Sequence, residues 1–309
     1  MCEYNLGISI LNYKTWEKTV ECVDSILDNY PENILIVVVD NHSPNESYEQ
    51  LHKTFQKEKY RSVELIQTEF NGGFSSGNNV GVRYLKKKNI DYCIVTNNDV
   101  ILKKNSIEEL FLPLFDDNNI LMVTPKILDT DGRVTCKAFT YKQTLKEWIF
   151  GRPDDKVPAV SEDSITKVYS FSGCCFAINL SNFSAIEYFD ENVFLYCEEA
   201  IVSEKAQRAG LDIIYNPKAI ITHNHGSTTG QNSLFTDREF LKSLLYYFCA
   251  YEDMRVSLFF MWFIMIFKFT LKMIMGKYPT RKGYGACVKE TFSICWHLIW
   301  KGEKYNKSI

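Results

Sequence analysis

A short apolar run, Tyr92-Cys93-Ile94-Val95-Thr96, leads directly into Asn97-Asn98-Asp99. Two amides and a carboxylate at the end of a buried strand place oxygen ligands at the carboxyl edge of a sheet, where open α/β sheets bind ligands. One carboxylate together with substrate phosphates is a common way to hold Mg²⁺ or a similar hard ion; a polar strand cap is the alternative reading. Asp40 closes a second apolar run, residues 34–39. It could accept a hydrogen bond from a base or a ribose hydroxyl, or act as a turn or N-cap residue. The segment Asn71-Gly72-Gly73-Phe74-Ser75-Ser76-Gly77-Asn78-Asn79 combines glycines that admit close approach with the start of a helix, whose N–H groups attract anions. Its glycine spacing is not that of the dinucleotide fingerprint, and a tight strand-to-helix turn would use the same residues. Glu198-Glu199 open a helix after Phe194-Leu195-Tyr196-Cys197, and a carboxylate beneath an aromatic wall can act as a general base. Adjacent helical residues point about 100° apart, so the two acids cannot serve one proton and one of them is structural; the helix dipole alone also favours acids there. His223-Asn224-His225 follows the apolar run 219–221. Alternate residues of a strand share a face, so both imidazoles could reach one ion, or be hydrogen-bonded structural residues.

These groups need a common sheet edge. Residues 6–11, 34–39, 63–66 and 92–96 read as strands. Residues 15–27 carry Trp16, Val20, Val23, Ile26 and Leu27 at helical spacing. A polar stretch to about Lys59 and residues 76–87 read as further helices. Strand alternating with helix predicts a parallel, doubly wound sheet. Right-handed crossovers then collect Asp40, Asn71 and Asp99 on one edge. Farther on, Asp129-Thr130-Asp131-Gly132 is a turn signal before 133–141, as in a hairpin. Residues 151–166, with Pro153 and Pro158, read as a loop. Residues 168–180 read as a strand whose small members Ser172-Gly173-Cys174-Cys175 let something approach the backbone. Residues 198–209 read as a helix closed by Gly210.

The 309 residues, 46% hydrophobic and 24% charged, suit one large globular domain or one domain with an appendage. A net charge of −3 offers no footing for nucleic acid. Ten scattered cysteines without a Cys-x-x-Cys pair point to buried thiols in a reducing compartment rather than structural zinc. The start, Met1-Cys2-Glu3-Tyr4-Asn5, lacks the basic and apolar regions of a secretory signal. Residues 256–267 are apolar and aromatic but for Ser257. The run reaches Met275 across Lys268 and Lys272, and Lys277, Arg281 and Lys282 follow. A spanning helix needs ~20 apolar residues. This segment reads as an aromatic, basic-flanked helix lying on or dipping into a membrane; packing on the main domain or a partner is the alternative.

In order and spacing these motifs resemble the inverting glycosyltransferases of family 2, which have a GT-A fold, and most closely the rhamnosyltransferase-like and galactofuranosyltransferase-like members. The resemblance covers roughly residues 6–230. It begins at Ser9-Ile10-Leu11-Asn12-Tyr13 and continues through Val38-Val39-Asp40-Asn41-His42-Ser43, Asn71-Gly72-Gly73-Phe74, Gly77-Asn78-Asn79-Val80-Gly81 and Thr96-Asn97-Asn98-Asp99. Ser172-Gly173-Cys174-Cys175, Phe189-Asp190-Glu191, Phe194 to Glu199, Pro217 and His223 follow in the expected order. The resemblance implies that Leu11, Asn12, Tyr13 and Asp40 hold the base and ribose of a nucleotide-sugar donor. It implies that Asn71, Gly72, Gly73, Phe74 and Asn78 line its diphosphate and sugar, with Asn97 and Asn98 near the ribose and donor sugar. Asp99 would bind a divalent metal, Mg²⁺ or Mn²⁺, with His223 as second ligand. Glu199, with Glu198 beside it, would be the catalytic carboxylate, and Gly173 would approach the acceptor. Two departures stand out. The family's aspartate and arginine after the catalytic acids correspond here to Ile201 and Lys205, and Asp99 is the only carboxylate of its motif.

The expectation is therefore an α/β protein with a GT-A fold, a Rossmann-like, doubly wound, mainly parallel sheet over residues 1–235. A helical, aromatic-rich, membrane-associating region follows over 236–309. Its implied activity is inverting transfer of a sugar, rhamnose-like favoured, from a dTDP- or UDP-linked donor to a glycan or polyprenyl-linked acceptor hydroxyl in surface polysaccharide biosynthesis. The implied location is the cytoplasmic side, peripheral on the inner face of the cell membrane, with no nucleic acid partner. Transfer of glucose or galactose, or nucleotide-sugar binding without catalysis, are the alternatives.

Overall fold

Runs of β-branched residues become strands and amphipathic runs become helices along most of the chain. The computed structural model describes residues 5–29, 34–136, 138–151, 164–224, 233–278 and 282–302. Its first part repeats strand and helix: β1 (Leu6–Asn12), α1 (Trp16–Leu27), β2 (Ile34–Asp40), α2 (Ser47–Phe55), β3 (Val63–Gln67), α3 (Gly73–Lys87) and β4 (Tyr92–Asn97). Then come β5 (Val100–Ile101), α4 (Lys104–Asp116), β6 (Ile120–Leu128), β7 (Val134–Cys136), α5 (Leu145–Phe150), β8 (Thr166–Lys167) and β9 (Cys175–Asn179). The chain continues through α6 (Leu180–Ala185), α7 (Glu198–Arg208), β10 (Asp212–His223), α8 (Leu234–Ala250), α9 (Leu258–Ile274) and α10 (Tyr284–Lys301).

The strands form one sheet in the order β3-β2-β1-β4-β9-β6-β10-β5, with β7 and β8 pairing at β6 and β10. The first four strands are parallel, as their alternation with helices requires. Beyond β4 the sheet is mixed. Strand β9 runs antiparallel to both β4 and β6, and β10 runs parallel to β6. Side-chain alternation sends Ile36 and Val38 to one face, with α1 and α4, and Val37 and Val39 to the other, with α3 and α6. Both faces are apolar and covered, which is why these strands read as continuous hydrophobic runs.

Register carries the polar strand ends to one place. Asn12 pairs with Asp40, and Leu11 with Asn97. At the far side, antiparallel pairing of β10 with β5 sets His223 opposite Val100, immediately next to Asp99.

Two element expectations shift, and a third is met. Helix α3 begins at Gly73, three residues before the anticipated Ser76, because Gly73 adopts a φ of +81° that turns the chain into the helix. Only 175–179 of the anticipated strand 168–180 is β9. Before it, the Cys174 carbonyl accepts the Asn97 N–H outside the ladder, and after it the Asn179 side chain caps α6. The hairpin at 129–132 forms, with Asp129 Oδ1 accepting from the Asp131 and Arg133 N–H groups. Most of the anticipated loop 151–166 and the candidate ligand His225 lie outside the described residues.

A third apolar cluster joins α7 to α8, α9 and α10 through Ile201, Leu244, Met265 and Ile294. Ile201 is fully buried there, so an aspartate at this position would sit uncompensated in an apolar core. Helix α9 runs unbroken through its two lysines because both turn inward. Lys268 donates to the Ile149 carbonyl, and Lys272 pairs with Asp237 at 2.8 Å. The opposite side leaves Phe260, Phe263, Phe267 and Ile274 exposed, and α10 adds Phe292, Trp296 and Trp300. Trp262 touches Phe292 at a ring separation of 5.1 Å, so the two helices present one aromatic surface.

Candidate active site

The ends of β1, β2 and β4 are locked by a buried polar network. Asp40 is fully buried, and its Oδ2 accepts from Asn12 Nδ2 at 2.7 Å and Ser43 Oγ at 2.6 Å. Its Oδ1 accepts from the Ser43 N–H at 3.0 Å. Asn12 Oδ1 in turn accepts from Thr19 Oγ1 at 2.7 Å and Asn98 Nδ2 at 3.2 Å. Asn98 also donates to Thr15 Oγ1 and Thr19 Oγ1, both at 2.8 Å. Asp40, Asn12 and Asn98 are thus engaged with protein and fix the loop after β1. Leu11, Tyr13, Asn97 and Asp99 are partly exposed at the same edge. The alternation of Asn97, Asn98 and Asp99 separates them: Asn98 turns inward to α1 while its neighbours remain accessible. Thr15, Thr19 and Ser43 complete this network; Ser43 lies in the quoted 38–43 motif, whereas neither threonine belongs to a motif. The two threonines fall on the buried side of α1 and its lead-in, a signal visible only once that helix is placed.

The glycine turn is pinned from both sides. Asn71 Oδ1 accepts from Asn41 Nδ2 and from the Gly73 N–H, each at 3.0 Å, and Asn41 Nδ2 also donates to the Gly73 carbonyl. The Phe74 N–H donates to the Phe194 carbonyl at 2.9 Å. A Cβ at Gly73 would lie 2.1 Å from that carbonyl oxygen, so glycine is required by contact as well as by φ. Gly72 is buried, Phe74 is partly exposed, and Asn78 is buried with its amide donating back to the Phe74 carbonyl at 3.0 Å. The turn therefore docks directly on the segment that leads into α7.

Asp99 and His223, 124 residues apart, meet with His223 Nε2 3.0 Å from Asp99 Oδ1. The Asn224 N–H donates to the Asp99 carbonyl at 3.0 Å and holds the two strands together. Among the described residues no group of three His, Cys, Asp or Glu side chains forms a closed metal cage.

Tyr196 and Cys197 both adopt positive φ, +72° and +66°, and this uncommon backbone swings the chain into α7. The two acids that follow then diverge. Glu198 is buried, whereas Glu199 reaches a cavity of about 190 Å³ that it lines with Lys142, Trp148, Tyr169 and Tyr247. Glu199 Oε1 accepts the Gly173 N–H at 3.0 Å. Burial pushes the Glu199 carboxyl above the usual range, and the Gly173 N–H opposes that shift only in part. A Cβ at Gly173 would lie 2.6 Å from Glu199 Oε1. One residue on, Cys174 accepts from Asn97, so a single backbone segment ties the acid to the strand that ends at Asp99. Lys205, at the family's arginine position, donates to the Tyr188 carbonyl at 3.0 Å. Lys142, Trp148 and Tyr169 carry no sequence signal, since they reach Glu199 only through the folded chain.

A mixed α/β sheet with a polar carboxyl edge, an acid on a following helix and C-terminal helices is a GT-A-like architecture. GalNAc-T7, solved with UDP, GalNAc and Mn²⁺, superposes over 80% of this chain and 50% of its own, with a TM-score of 0.60 at 17% identity. Residues 8–156 match the model of glycosyl transferase family 2. It is 30% identical over 212 residues to the low-salt glycan biosynthesis hexosyltransferase Agl10 of Haloferax volcanii, covering 68% of this chain and 64% of Agl10. It is 24% identical to an N-acetylglucosaminyl-diphospho-decaprenol L-rhamnosyltransferase of Mycobacterium tuberculosis, covering 57% and 63%. Rhamnosyltransferase WbbL of Escherichia coli is 25% identical, with 47% and 58% covered. The chain spans less than two thirds of the length of each of these relatives.

Proposed function

We propose that this protein is an inverting glycosyltransferase that moves a sugar from a nucleotide-diphosphate sugar to a hydroxyl of a glycan or lipid-linked acceptor. The observation that carries the reading is the tether just described: Gly173 holds Glu199 while Cys174 holds Asn97, two residues before Asp99. An acid and a phosphate-side group are thereby fixed to one backbone segment, as a displacement between two substrates requires.

The Asp99–His223 pair fits a hard divalent ion shared with substrate phosphates, because such ions are commonly held by few protein ligands plus phosphate oxygens. Asp99 and His223 would hold it, and bound there it would neutralise charge growing on the leaving diphosphate. Leu11 and Tyr13, kept in place by the Asn12–Asp40 network, offer a partly exposed wall for the base. Asn97 and the Asn71–Phe74 turn face the ribose, diphosphate and sugar. Glu199, whose carboxyl burial holds above its usual range, takes the proton from the attacking acceptor hydroxyl. Attack opposite the leaving group by one nucleophile inverts the anomeric carbon. Glu198 is the structural member of the pair.

A rhamnose-like donor sugar linked to dTDP or UDP is favoured because two of the similar proteins are named rhamnosyltransferases. The aromatic surface of α9 and α10 supports peripheral binding at the inner face of the cell membrane, where a polyprenyl-linked acceptor would lie. Residues 1–235 would then form the catalytic unit and 236–309 the membrane-facing one. The test is a panel of nucleotide sugars assayed for slow donor hydrolysis with and without Mn²⁺ or Mg²⁺. Metal-dependent hydrolysis of one donor, lost in Asp99→Ala, is expected. No binding or hydrolysis of any donor would overturn the assignment.

A further inference from the structure

The cavity beside Glu199 has a composition of its own. Trp148 is partly exposed at its wall, braced by Phe240 and Tyr247 at ring separations of 6.1 and 6.0 Å. Gln143, Ser170 and Ser203 add neutral hydrogen-bonding groups. The volume is about 190 Å³, small beside the roughly 300–1,000 Å³ of drug-sized pockets, and so suited to a single ring. An exposed aromatic face among a few polar groups suits the apolar C–H face and hydroxyl rim of a pyranose.

Charge narrows the choice. Lys142 is the one cation among the described lining residues, and it is already paired with two carboxylates. It donates to Glu204 at 2.8 Å and also contacts Glu252. The Tyr169 and Tyr247 hydroxyls, donors of the kind an anion would need, donate to the same acids at 2.6 and 2.9 Å. Hydrogen bonds from Lys142 and Tyr169 outweigh burial and hold Glu204 ionised, below the usual carboxylate range. A phosphate or carboxylate entering this space would meet Glu199, and among the described lining residues no uncommitted positive charge would offset it.

We infer that this cavity is the subsite for an uncharged sugar ring of the acceptor, with Trp148 as its platform, and that it discriminates against anionic sugars. The inference rests on the glycosyltransferase reading above. It also implies that any diphosphate of a lipid-linked acceptor lies outside this cavity.

Saturation-transfer NMR on the full chain tests it with methyl glycosides of rhamnose, glucose, galactose and N-acetylglucosamine against glucuronic acid and glucose 6-phosphate. At least one neutral glycoside is expected to bind, ten-fold or more tighter than either anion. Binding should fall at least ten-fold in Trp148→Ala and in Gln143→Ala, the latter a partly exposed position that leaves the core intact. Equal binding of the anions, no binding of any neutral glycoside, or unchanged binding in a folded Gln143→Ala together with Trp148→Ala would overturn it. Because the readout is binding and not turnover, it stays separate from donor hydrolysis, whose failure would strike the glycosyltransferase reading instead.

Discussion

Glu199 combines two properties that a general base needs and that conflict energetically. It is enclosed enough for burial to raise its carboxyl above the ordinary value, yet it keeps a hydrogen bond from Gly173 and an opening toward the cavity. A carboxyl raised in the folded state binds more protons there than in the unfolded chain. Its ionisation therefore costs stability as pH rises from the usual ~4.3 through the raised value, and acidification through that window restores it. Glu199→Gln removes this cost. Thermal unfolding at neutral pH should show a variant at least as stable as the parent, while transfer falls by about 10²–10⁴-fold and nucleotide affinity is unchanged. For the parent, transfer should rise with pH along a single acid limb positioned above the range of an exposed glutamate, because the ionised form is the base. Unaltered turnover in Glu199→Gln would remove it from the chemistry. Gly173 acts through Glu199 and is a positioning residue. A methyl group there would overlap the carboxylate at 2.6 Å, so Gly173→Ala should cost about 1–3 kcal/mol in unfolding experiments. Misplacing the acid by about 1 Å should reduce kcat on the order of 10²-fold and shift the acid limb, whereas donor KM holds. At this scale the sequence was informative for groups with intrinsic chemistry. Asp99, His223 and Glu199 are conspicuous by type and by their place at element ends. Thr15, Thr19, Lys142 and Tyr169 are ordinary residues, and only folding gives them their partners.

Among elements, the decisive pieces are the strand ends and the glycine turn that links them to α7. The parallel half of the sheet follows from the sequence because each β-branched run is separated from the next by a helix-length segment, and a parallel pair requires such a crossover. The antiparallel insertion of β9 between β4 and β6 could not be read in the same way. Its residues are apolar enough for any interior position, and its order depends on pairings between residues far apart in the chain, Val95 with Phe176 and Met122 with Ile178. His223 illustrates the consequence: it reaches Asp99 only because β10 returns antiparallel to β5. The Gly73 turn offers the sharpest element-level test. Gly73→Ala would force a Cβ to within 2.1 Å of the Phe194 carbonyl at a φ of +81°, a conformation costing ~1–3 kcal/mol for a non-glycine residue even without the overlap. The expected result is a loss of more than ~2 kcal/mol in denaturant unfolding, with nucleotide-sugar affinity reduced even at temperatures where the variant stays folded. Retention of full stability would show that the turn does not dock on the segment before α7.

At the scale of the whole molecule, the unusual feature is the side of α9 and α10 turned away from the sheet. The buried stripe Leu258, Met261, Met265 and Phe269 seals the third cluster, and the inward lysines satisfy Asp237 and the Ile149 carbonyl. What remains outside is apolar: Phe263 is 60% and Phe267 58% exposed, and Trp300 is 69% exposed. Contiguous exposed aromatic surface of this kind is what an interaction site presents. Lys282, Lys289 and Lys301 are exposed on the same helical hairpin, which adds attraction for an anionic leaflet of about 1 kcal/mol per basic residue near the surface. Among the described residues one helix, 255–274, is long and apolar enough to cross a bilayer. On the peripheral reading proposed above, its packed inner face and inward lysines would leave it lying in the interface, apolar stripe down. Inserting a phenylalanine side chain contributes about 1.5–3 kcal/mol. Phe263→Asp with Phe267→Asp should therefore lower partition onto vesicles containing anionic lipid by at least 10²-fold in flotation assays. Both side chains project outward, so unfolding temperature should stay within about 2 °C of the parent, the shift expected from well under 1 kcal/mol. Binding of the parent should also weaken with added salt, since part of the attraction is screened. Flotation of the double variant equal to the parent's would show that this face does not meet lipid. If instead the parent failed to float and sedimented as a dimer that the double variant lost, the aromatic face would be a contact between two copies of the chain.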